Sequence, residues 1–357
     1  MPGLPKVAVA MSGGVDSSVA AALLVEQGYP VIGLMLRLWS EPGNENANRC
    51  CTPDAMAQAR RVAAQLGIPF YVIDGRERFR NTVVQNFLDG YSGGITPNPC
   101  ISCNRQIRWG LLLETGQAMG AEKMATGHYA RLKTLEDGSV QLLRGVDSRK
   151  DQSYVLSALT PDQLQHTILP LGDFEKPQVR ALARKFGLPV AERAESQDLC
   201  FLAGEDYRQF LRRNVENIAH PGPIADRQGK VLGEHEGLAF YTIGQRKGIK
   251  IAASEALYVV DKDAASNTLV VGPVSELGQN LLVARDVNWI SGIAPQGPFE
   301  ADVKIRYKSE LIAATVTPQD ANLVSVEFHS PLRGITAGQL AVFYQGDAVI
   351  GSGIISV

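Results

Sequence analysis

One short loop near the start of the chain has the composition of a phosphate-binding site. Ser12-Gly13-Gly14-Val15-Asp16-Ser17 follows the apolar run KVAVAM and precedes the alanine-rich segment SSVAAALLVEQG. Adjacent glycines let backbone N–H groups approach phosphate oxygens, and a helix N-terminus and serine hydroxyls add further donors. A carboxylate repels phosphate, so Asp16 is predicted to hold Mg²⁺ between phosphates. The alternative is an ordinary glycine turn with Asp16 as the helix cap.

The loop differs from the two commonest nucleotide loops. No Gly-Lys-Ser/Thr closes it, as in a Walker A loop, and its glycines are adjacent rather than in G-x-G-x-x-G spacing. It resembles the loop of the ATP pyrophosphatase superfamily. That resemblance implies cleavage of ATP between the α and β phosphates and adenylation of a substrate oxygen, and leaves the acceptor open.

The second candidate for chemistry is a set of thiols. The cysteines are Cys50 and Cys51 in NRCCTPDA, Cys100 and Cys103 in TPNPCISCN, and Cys200 in ESQDLCF. Zinc needs four ligands, usually as two close pairs, and no histidine stands at ligand spacing, so zinc is not favoured. Cys100 and Cys103 lie in a proline-rich loop before a helix predicted to begin at Asn104, whose N-terminus lowers the pKa of a nearby thiol. Those two are predicted to be functional, Cys200 is open, and an inert role is favoured for the adjacent pair.

Composition limits the class of protein. With 357 residues, the chain is expected to form two or three domains of roughly 100 to 200 residues each. It is 45% hydrophobic and 20% charged, and it contains no apolar run long enough to cross a bilayer. Its first residues lack the features of a signal peptide, so we expect a cytoplasmic protein with reduced thiols. A net charge of −2 argues against indiscriminate nucleic-acid binding and leaves room for a local basic groove.

The elements that must position these residues follow from hydrophobic periodicity. Predicted strands are KVAVAM, VIGLML, FYVID and KMATGH, and predicted helices are SSVAAALLVEQG, DAMAQARRVAAQLG, FRNTVVQNFLDGY, IRWGLLLETGQAMG, TPDQLQHTILPL, KPQVRALARKFGL and DYRQFLRRNV. Alternating strands and helices predict a parallel sheet with helices on both faces. Hairpins are predicted at ADRQGKVLG, YTIGQRKG and VVDKDAASNTLVVG, and short alternating strands fill the chain after about Asn280.

The predicted fold class is therefore α/β. It comprises an N-terminal parallel sheet with helices on both faces over residues 1–204, a small mixed central domain over 205–279, and a C-terminal β-barrel over 280–357.

Motifs spread over nearly the whole chain resemble those of one family. They are AMSGGVDSSVAA, GYPVIGL, LGIPFYVID, TPNPCISCNRQIRW, ATGHYARL, LLRGVDSRKDQSYVL, SQDLCF, EGLAFYTIGQRKGI, VKIRY and AGQLAVFY. Together they look like the bacterial tRNA-specific 2-thiouridylases, the tRNA-uridine 2-sulfurtransferases of the ATP pyrophosphatase superfamily. The resemblance implies replacement of the C2 oxygen of the anticodon wobble uridine by sulfur, with ATP and Mg²⁺ as cofactors.

The resemblance also implies roles for single residues. ATP contacts are implied for Ala10, Met11, Ser12, Gly13, Gly14, Val15, Asp16, Ser17, Leu36 and Gly127. The loop facing the target base is matched by Asn98, Pro99 and Cys100, and further tRNA contacts are implied for His128, Lys150, Asp151, Gln152, Arg306, Tyr307 and Gln339. Lys150 and Arg306 suit phosphate contacts, and Tyr307 suits stacking on a splayed base. Each of these tRNA-contact residues also has an ordinary structural interpretation, as a solvated charge, a turn residue or a neutral histidine.

The family's chemistry leaves two sulfur routes open. In the first, Cys200 carries a persulfide received from a protein sulfur donor. Cys103 then either resolves the sulfur-transfer adduct as a disulfide with Cys200, or first releases hydrosulfide. The second route arises because many members carry aspartate where this chain has Cys100. Here Cys100, Cys103 and Cys200 would hold a [4Fe–4S] cluster with one open iron.

Two other functions compete with thiolation. A different ATP pyrophosphatase, such as an amidotransferase-type synthetase or a tRNA lysidine synthetase, shares the loop and needs neither Cys103 nor Cys200. A non-catalytic RNA-binding or iron–sulfur carrier protein would use the loop only structurally. Activity that survives Cys200→Ser favours the first alternative, and AMP release unaffected by Asp16→Ala favours the second.

Overall fold

The computed structural model describes residues 3–41, 52–193 and 199–356. Cys50, Cys51 and part of the ESQDLCF motif lie outside these ranges. The strands are β1 Val7–Ala10, β2 Val31–Arg37, β3 Phe70–Asp74, β4 Lys123–Ala125, β5 Ala130–Thr134, β6 Val140–Arg144, β7 Thr167–Ile168, β8 Gly222–Ala225, β9 Val231–His235, β10 Tyr258–Asp263, β11 Thr268–Gly272, β12 Gly278–Trp289, β13 Phe299–Lys304, β14 Ile312–Pro318, β15 Leu323–Arg333, β16 Leu340–Gln345 and β17 Ala348–Ile355. The helices are α1 Val15–Glu26, α2 Pro53–Leu66, α3 Arg76–Phe79, α4 Gln85–Ser92, α5 Pro99–Ser102, α6 Leu113–Ala118, α7 Ser153–Leu156, α8 Pro161–Gln165, α9 Lys176–Lys185 and α10 Tyr207–Asn214.

The N-terminal sheet is parallel, as predicted. Its strand order is β3-β2-β1-β4-β7, and all of these neighbours pair in parallel. Side chains of β1 alternate between two cores. Val7 and Val9 pack with α1, α2 and α9, whereas Ala8 packs on the other face with Trp109 and Leu112. The strands β2 and β3 lie on one side of β1, and the later strands β4 and β7 lie on the other. Sheets of this kind bind ligands in the crevice at such a change of side, here at the carboxyl ends of β1 and β4.

Two π-helical segments extend the helices of this domain. Arg80–Val84 joins α3 to α4, and Cys103–Leu112 joins α5 to α6. The helix predicted to begin at Asn104 therefore begins earlier, at Pro99, because Asn98 is extended and Pro99 occupies the first turn, where proline lacks no needed donor. Segments of π-helix are uncommon and often mark functional sites.

Two other local predictions were wrong. The helix predicted over TPDQLQHTILPL stops at Gln165, because Thr167 and Ile168 pair in parallel with β4. YTIGQRKG is not a hairpin; its backbone lies along β10 through single hydrogen bonds, one from Gly244 N–H to the Val259 oxygen at 2.8 Å.

The rest of the chain forms the predicted mixed sheet and barrel. The middle sheet has the order β10-β11-β8-β9 and combines one parallel pairing with two hairpins. Strands β12 to β17 close into a six-stranded barrel, because β12 pairs with both β15 and β17. The hairpin β5–β6 was not predicted. It comes from the N-terminal half and continues the sheet of the barrel through Leu143 and Ala348.

Candidate active site

The phosphate loop lies at the carboxyl end of β1, with α1 directly behind it. Gly13 adopts φ +70°, and a Cβ there would sit 2.2 Å from the Ala55 carbonyl oxygen of α2. Only glycine fits this position, on both conformational and steric grounds. Gly14 has an ordinary φ of −93° and is the N-cap of α1, so that the loop leads directly into the helix N-terminus.

Serine hydroxyls hold the shape of the loop. The Ser17 hydroxyl accepts a hydrogen bond from Ser12 N–H at 3.1 Å, and Ser18 Oγ donates to the Gly14 oxygen at 2.8 Å. Ser17 and Ser18 are buried, whereas Ser12 is exposed at the tip. The loop is therefore braced by its own side chains in one conformation, with Ser12 facing solvent.

Asp16 stands in the first turn of α1 and carries two strong contacts. Its carboxylate oxygens lie 2.6 and 2.8 Å from Lys176 Nζ, and the Tyr129 hydroxyl donates to Oδ1 at 2.7 Å. Lys176 is the first residue of α9 and is only 8% exposed. Sequence reasoning missed both partners. The sequence offered only an indirect indication. The loop contains no lysine, so a cation beside it must come from another part of the chain.

The turn after β4 presses against this loop. A Cβ on Gly127 would lie 2.6 Å from the Asp16 carbonyl carbon and 2.7 Å from Ser17 N. Met11 and Val15 are buried beneath the loop, while Ala10 and Leu36 are half-buried on adjacent strands. The structure thus brings Gly127 together with the residues predicted to bind ATP.

His128, the next residue, is buried, and it positions an arginine. Arg108 Nη1 lies 3.1 Å from His128 Nε2, and Thr126 Oγ1 lies 2.6 Å from Nδ1. Burial and the Arg108 guanidinium hold the pKa of His128 well below its usual 6.5. Guanidinium only donates, so Nε2 accepts and the proton resides on Nδ1. His128 is 7% exposed, so little of its surface is open to a bound tRNA. Its predicted tRNA contact stays a prediction.

Two of the three described thiols lie on the helix that begins at Pro99, and the third lies in a separate short turn. Cys100 is exposed in α5, and Cys103 begins the π-helical segment. Cys200 lies in a short 3₁₀ turn, Cys200–Leu202. Cys103 and Cys200 are both partly buried against the same apolar cluster, which contains Phe87 and Phe201. The fold therefore brings to one cluster two thiols that lie far apart in the sequence.

The side chains near the loop and the thiols decide which metal groups this site could hold. Within residues 3–41, 52–193 and 199–356, no group of three His, Cys, Asp or Glu side chains is arranged to hold a metal ion. The [4Fe–4S] cluster on Cys100, Cys103 and Cys200 stays a prediction. For Mg²⁺ the fit is better, since this ion usually takes one or two carboxylates together with substrate phosphates. Asp16 supplies such a carboxylate at the helix N-terminus, and a bound Mg²⁺ would share its oxygens with Lys176.

Residues predicted to contact tRNA meet where the barrel touches the α5 loop. Gln339 Nε2 donates to the Thr96 oxygen at 2.7 Å, which ties the barrel to the segment before Asn98. The Asn98 side chain bonds the hydroxyl of buried Tyr154, and the Tyr307 ring packs edge-on against Tyr154 with centroids 6.2 Å apart. Pro99 is buried at the start of α5.

Arg306 belongs to the same junction. Its Nη2 donates to the Gly334 oxygen at 2.7 Å, to Thr336 Oγ1 at 2.6 Å and to the Ile243 oxygen at 3.2 Å. Burial lowers the pKa of Arg306. This side chain therefore joins the barrel to the middle sheet's loop, and its predicted phosphate contact stays a prediction.

A third group of predicted contacts forms the turn before α7. Asp151 is buried and accepts hydrogen bonds from Gly145 N–H at 3.0 Å and from the Ser153 hydroxyl at 2.9 Å. Gln152 Oε1 accepts from Tyr129 N–H at 3.0 Å, and Lys150 is half-buried beside them. Asp151 and Gln152 thus organise the turn that carries Lys150, and the tRNA role of all three stays a prediction.

No helix among the described residues is long and apolar enough to cross a membrane.

Comparison with known proteins gives three family matches along the chain. Residues 5–204 match the family described as tRNA methyl transferase HUP domain, residues 208–273 its PRC-barrel domain, and residues 279–355 the aminomethyltransferase β-barrel domain.

Similar curated proteins cover almost the whole chain. The tRNA-specific 2-thiouridylase MnmA of Moorella thermoacetica is 48% identical over 97% of this chain and 98% of its own length. The MnmA proteins of Pelotomaculum thermopropionicum and Clostridium perfringens are 47% and 44% identical, each over 98% of this chain and 97% and 98% of their own lengths.

Solved structures show a weaker likeness. A 4-thiouridine synthetase–RNA complex with bound ATP is 16% identical, with a TM-score of 0.37, over 59% of this chain and 50% of that one. The NMN synthetase of Francisella tularensis is 21% identical, with a TM-score of 0.34, over 55% and 67%. On the full-length identity to the curated relatives, this chain belongs to the tRNA-specific 2-thiouridylase family.

Proposed function

We propose that this protein catalyses the ATP-dependent 2-thiolation of the wobble uridine in the anticodon of tRNA. The observation that carries the proposal is that two thiols distant in sequence pack against one apolar cluster, in a chain that also has an ATP-type phosphate loop. Cys103 and Cys200 are the two thiols that pack against this cluster. The helix that contains Cys103 also contains Arg108, which bonds His128. His128 follows Gly127, and Gly127 lies against the phosphate loop. Full-length similarity to proteins named as tRNA-specific 2-thiouridylases supports the choice of substrate.

The first half-reaction uses the phosphate loop. Backbone N–H groups of Gly13 and Gly14 and the N-terminus of α1 bind the triphosphate. Asp16 would hold Mg²⁺, which neutralises phosphate charge when it is bound. The uridine leaves the base stack, and its C2 oxygen attacks the α-phosphorus. The bond to the β-phosphate breaks, pyrophosphate departs, and the C2 oxygen becomes part of an AMP leaving group.

Arg108 is placed to stabilise this step. Its guanidinium is held by His128, which is neutral and can therefore accept its hydrogen bond. A fixed cation on the helix that carries Cys103, bonded to the residue after Gly127, can stabilise negative charge on the adenylated intermediate without reorganising during the reaction. Lysine could not replace the planar fork of donors.

The second half-reaction transfers sulfur. A donor protein loads Cys200 as a persulfide, whose terminal sulfur attacks C2 and displaces AMP. The Cys103 thiolate then attacks the Cys200 sulfur, which breaks the S–S bond, forms a Cys103–Cys200 disulfide and frees 2-thiouridine. A dithiol reductant then reduces this disulfide, becomes oxidised itself and restores both thiols.

The test separates adenylation from sulfur transfer. Purified protein is given ATP, tRNA lacking the modification and a persulfide donor, and pyrophosphate and 2-thiouridine are measured for Cys100→Ser, Cys103→Ser and Cys200→Ser. We expect the last two to keep pyrophosphate release and to fall below about 1% of wild-type thiolation. Cys100→Ser, one helical turn from Cys103, separates the two sulfur routes: in the persulfide route it keeps pyrophosphate release and forms 2-thiouridine at a measurable rate, because its thiol takes no part in the sulfur transfer.

Three results would contradict the proposal. Pyrophosphate release without any 2-thiouridine in the wild type, unchanged in Cys103→Ser and Cys200→Ser, would indicate another ATP pyrophosphatase that adenylates a different acceptor. Adenylation absent in every assay with tRNA would indicate a non-catalytic role for the loop. Iron and sulfide in anaerobically purified protein, together with loss of activity in Cys100→Ser, would favour the cluster route.

A further inference from the structure

A loop of the middle domain exposes several cations beside the predicted target-base loop. This basic loop (residues 244–250) has the sequence GQRKGIK, and Arg246, Lys247 and Lys250 are exposed on it. We propose that the basic loop binds the sugar–phosphate backbone of the tRNA next to the anticodon. The inference rests on the proposed function, and it assigns part of the substrate contact to residues outside the predicted set.

The backbone of the basic loop is held in one conformation. Gln245 Oε1 accepts a hydrogen bond from Thr242 N–H at 3.1 Å, and Gln245 Nε2 donates to the Lys247 oxygen at 2.8 Å. Val259 N–H donates to the Gln245 oxygen at 2.9 Å, and Ile249 is buried at the end of the loop. Because the loop is already ordered, a ligand that binds its cations loses little free energy in fixing the backbone.

The positive charge of the loop is only partly balanced by carboxylates. Lys250 Nζ lies 2.8 Å from Glu236 Oε1, and Arg212 Nη2 lies 2.7 Å from Oε2 of the same carboxylate. Arg246 and Lys247 form no ion pair with any residue in the part of the chain that the structure describes. The loop therefore concentrates positive charge locally in a chain whose net charge is −2.

A further cation packs against this loop from α10. A Cβ on Gly248 would lie 3.9 Å from both terminal nitrogens of Arg208. The Arg208 Nε is buried and has no hydrogen-bond partner among the described residues. Its guanidinium lies 5.8 Å from the centre of the Tyr207 ring, which stacks on Tyr91 of α4 with ring centroids 5.0 Å apart. The positive surface thus continues from the loop onto α10.

The basic loop is joined directly to the elements that face the target base. Thr242 Oγ1 lies 3.4 Å from Thr96 Oγ1, two residues before Asn98. Four residues separate Thr242 from Arg246, so their Cα atoms lie within about 15 Å of each other. A tRNA whose wobble uridine reaches Asn98 therefore brings the neighbouring phosphates within reach of the long side chains on the basic loop.

Phosphate binding also needs donors that the protein has not already used. Arg306, which the sequence predicts to contact phosphate, donates from Nη2 to three protein oxygens, those of Ile243, Gly334 and Thr336. Exposed arginine and lysine side chains on an ordered loop offer charge-assisted hydrogen bonds to phosphate oxygens. With a net charge of −2, the chain as a whole does not attract a polyanion, so a local basic surface must do so.

The test removes the two unpaired cations. Arg246→Gln and Lys247→Gln, singly and together, are compared with Arg246→Lys, which keeps the charge. Lys230→Gln is the matched control, because it removes an exposed lysine from the β8–β9 turn of the same domain. The Kd for tRNA is measured without sulfur donor between about 50 and 200 mM salt, the range over which phosphate contacts weaken steeply. The ATP-induced shift in melting temperature monitors the ATP site.

Phosphate contacts predict both a weaker affinity and a smaller salt dependence. The double variant should raise the Kd for tRNA roughly tenfold, and the slope of log Kd against log salt should fall by roughly 0.7–0.9 for each cation removed. Arg246→Lys and Lys230→Gln should match the wild type. All variants should keep the ATP-induced shift, because the loop has no part in binding ATP.

Three outcomes decide between the explanations. A double variant with the Kd and the salt slope of the wild type would overturn the inference, since its cations would then be ordinary solvated charges. Unchanged tRNA binding together with slower thiolation at limiting donor protein would show that the surface binds an acidic protein and not RNA. If tRNA binding weakens as expected but the wild type forms neither pyrophosphate nor 2-thiouridine, the inference holds and the proposed function fails.

Discussion

Exchanging each of the two adjacent glycines of the phosphate loop for alanine tests the geometry of the site directly. By composition Gly13 and Gly14 are equivalent, but the structure gives them different environments. Gly13 lies in the left-handed region at φ +70°, with its Cβ position 2.2 Å from the Ala55 oxygen. Gly14 lies at φ −93°, and the nearest atom to its Cβ position is Ser12 Oγ at 3.4 Å.

The expected cost of Gly13→Ala follows from two terms. A left-handed conformation costs a residue with a Cβ about 1–2 kcal/mol. An ordinary contact between carbon and a carbonyl oxygen is about 3.3 Å or longer, so the loop and α2 must separate by roughly 1 Å. Overpacking of this kind costs about 1–3 kcal/mol. We therefore expect Gly13→Ala to lower the free energy of unfolding by about 2–5 kcal/mol.

Gly14→Ala is the matched control. As an N-cap, alanine is worse than glycine by about 0.5–1 kcal/mol, and it lowers the entropy of the unfolded chain by a similar amount. The free energy of unfolding should therefore stay within about 1 kcal/mol of the wild type. Urea unfolding measures both variants, and the KM for ATP should rise for Gly13→Ala because the loop has moved. Equal losses for the two variants, or a stable Gly13→Ala, would refute the reasoning.

Three further predictions concern the supports of the site. Burial holds the pKa of His128 below its usual value in the folded state, so the unfolded state binds this proton more readily as the pH falls below about 6.5. Between pH 7.5 and 5.5 the wild type should therefore lose on the order of 1 kcal/mol of unfolding free energy that His128→Asn keeps, as urea unfolding at both pH values would measure. Tyr154→Phe removes the donor to the Leu340 oxygen at 2.9 Å in a fully buried site, and urea unfolding should show a loss of about 1–3 kcal/mol. Gln339→Ala releases the Thr96 carbonyl, so steady-state kinetics should show a KM for tRNA raised by up to about tenfold and thermal melting an unchanged ATP-induced shift.

Local patterns in the sequence were sufficient for most of the framework. The glycine–serine loop was predicted between a buried strand and a helix, and the structure has it between β1 and α1, because each part of that signal lies within a few consecutive residues. Alternation of strand and helix patterns likewise predicted a parallel sheet, since only crossovers of that length join parallel strands. Gly67 was predicted to close its helix, and it does so at φ +67°.

Errors arose where neighbours in space overrode local preference. Thr167 and Ile168 form a strand because β4 offers them a parallel edge. The hairpin β5–β6 extends the barrel's sheet, which no local pattern could indicate. Asp151 and Arg306 are charged residues whose types suggest a surface, but each satisfies several buried hydrogen-bonding groups.

The sequence by itself determined the glycine–serine loop before α1, the C-x-x-C and the α/β fold class, because each of these signals lies in contiguous residues. Only the tertiary structure decided which distant groups act together: Lys176 beside Asp16, Arg108 on a neutral His128, and Cys200 on the same cluster as Cys103. The physical reason is that ion pairing, protonation and thiol position depend on burial and on distance. Burial and distance are set by the packing of segments that lie far apart in the sequence or in different elements. The local composition of each segment does not set them.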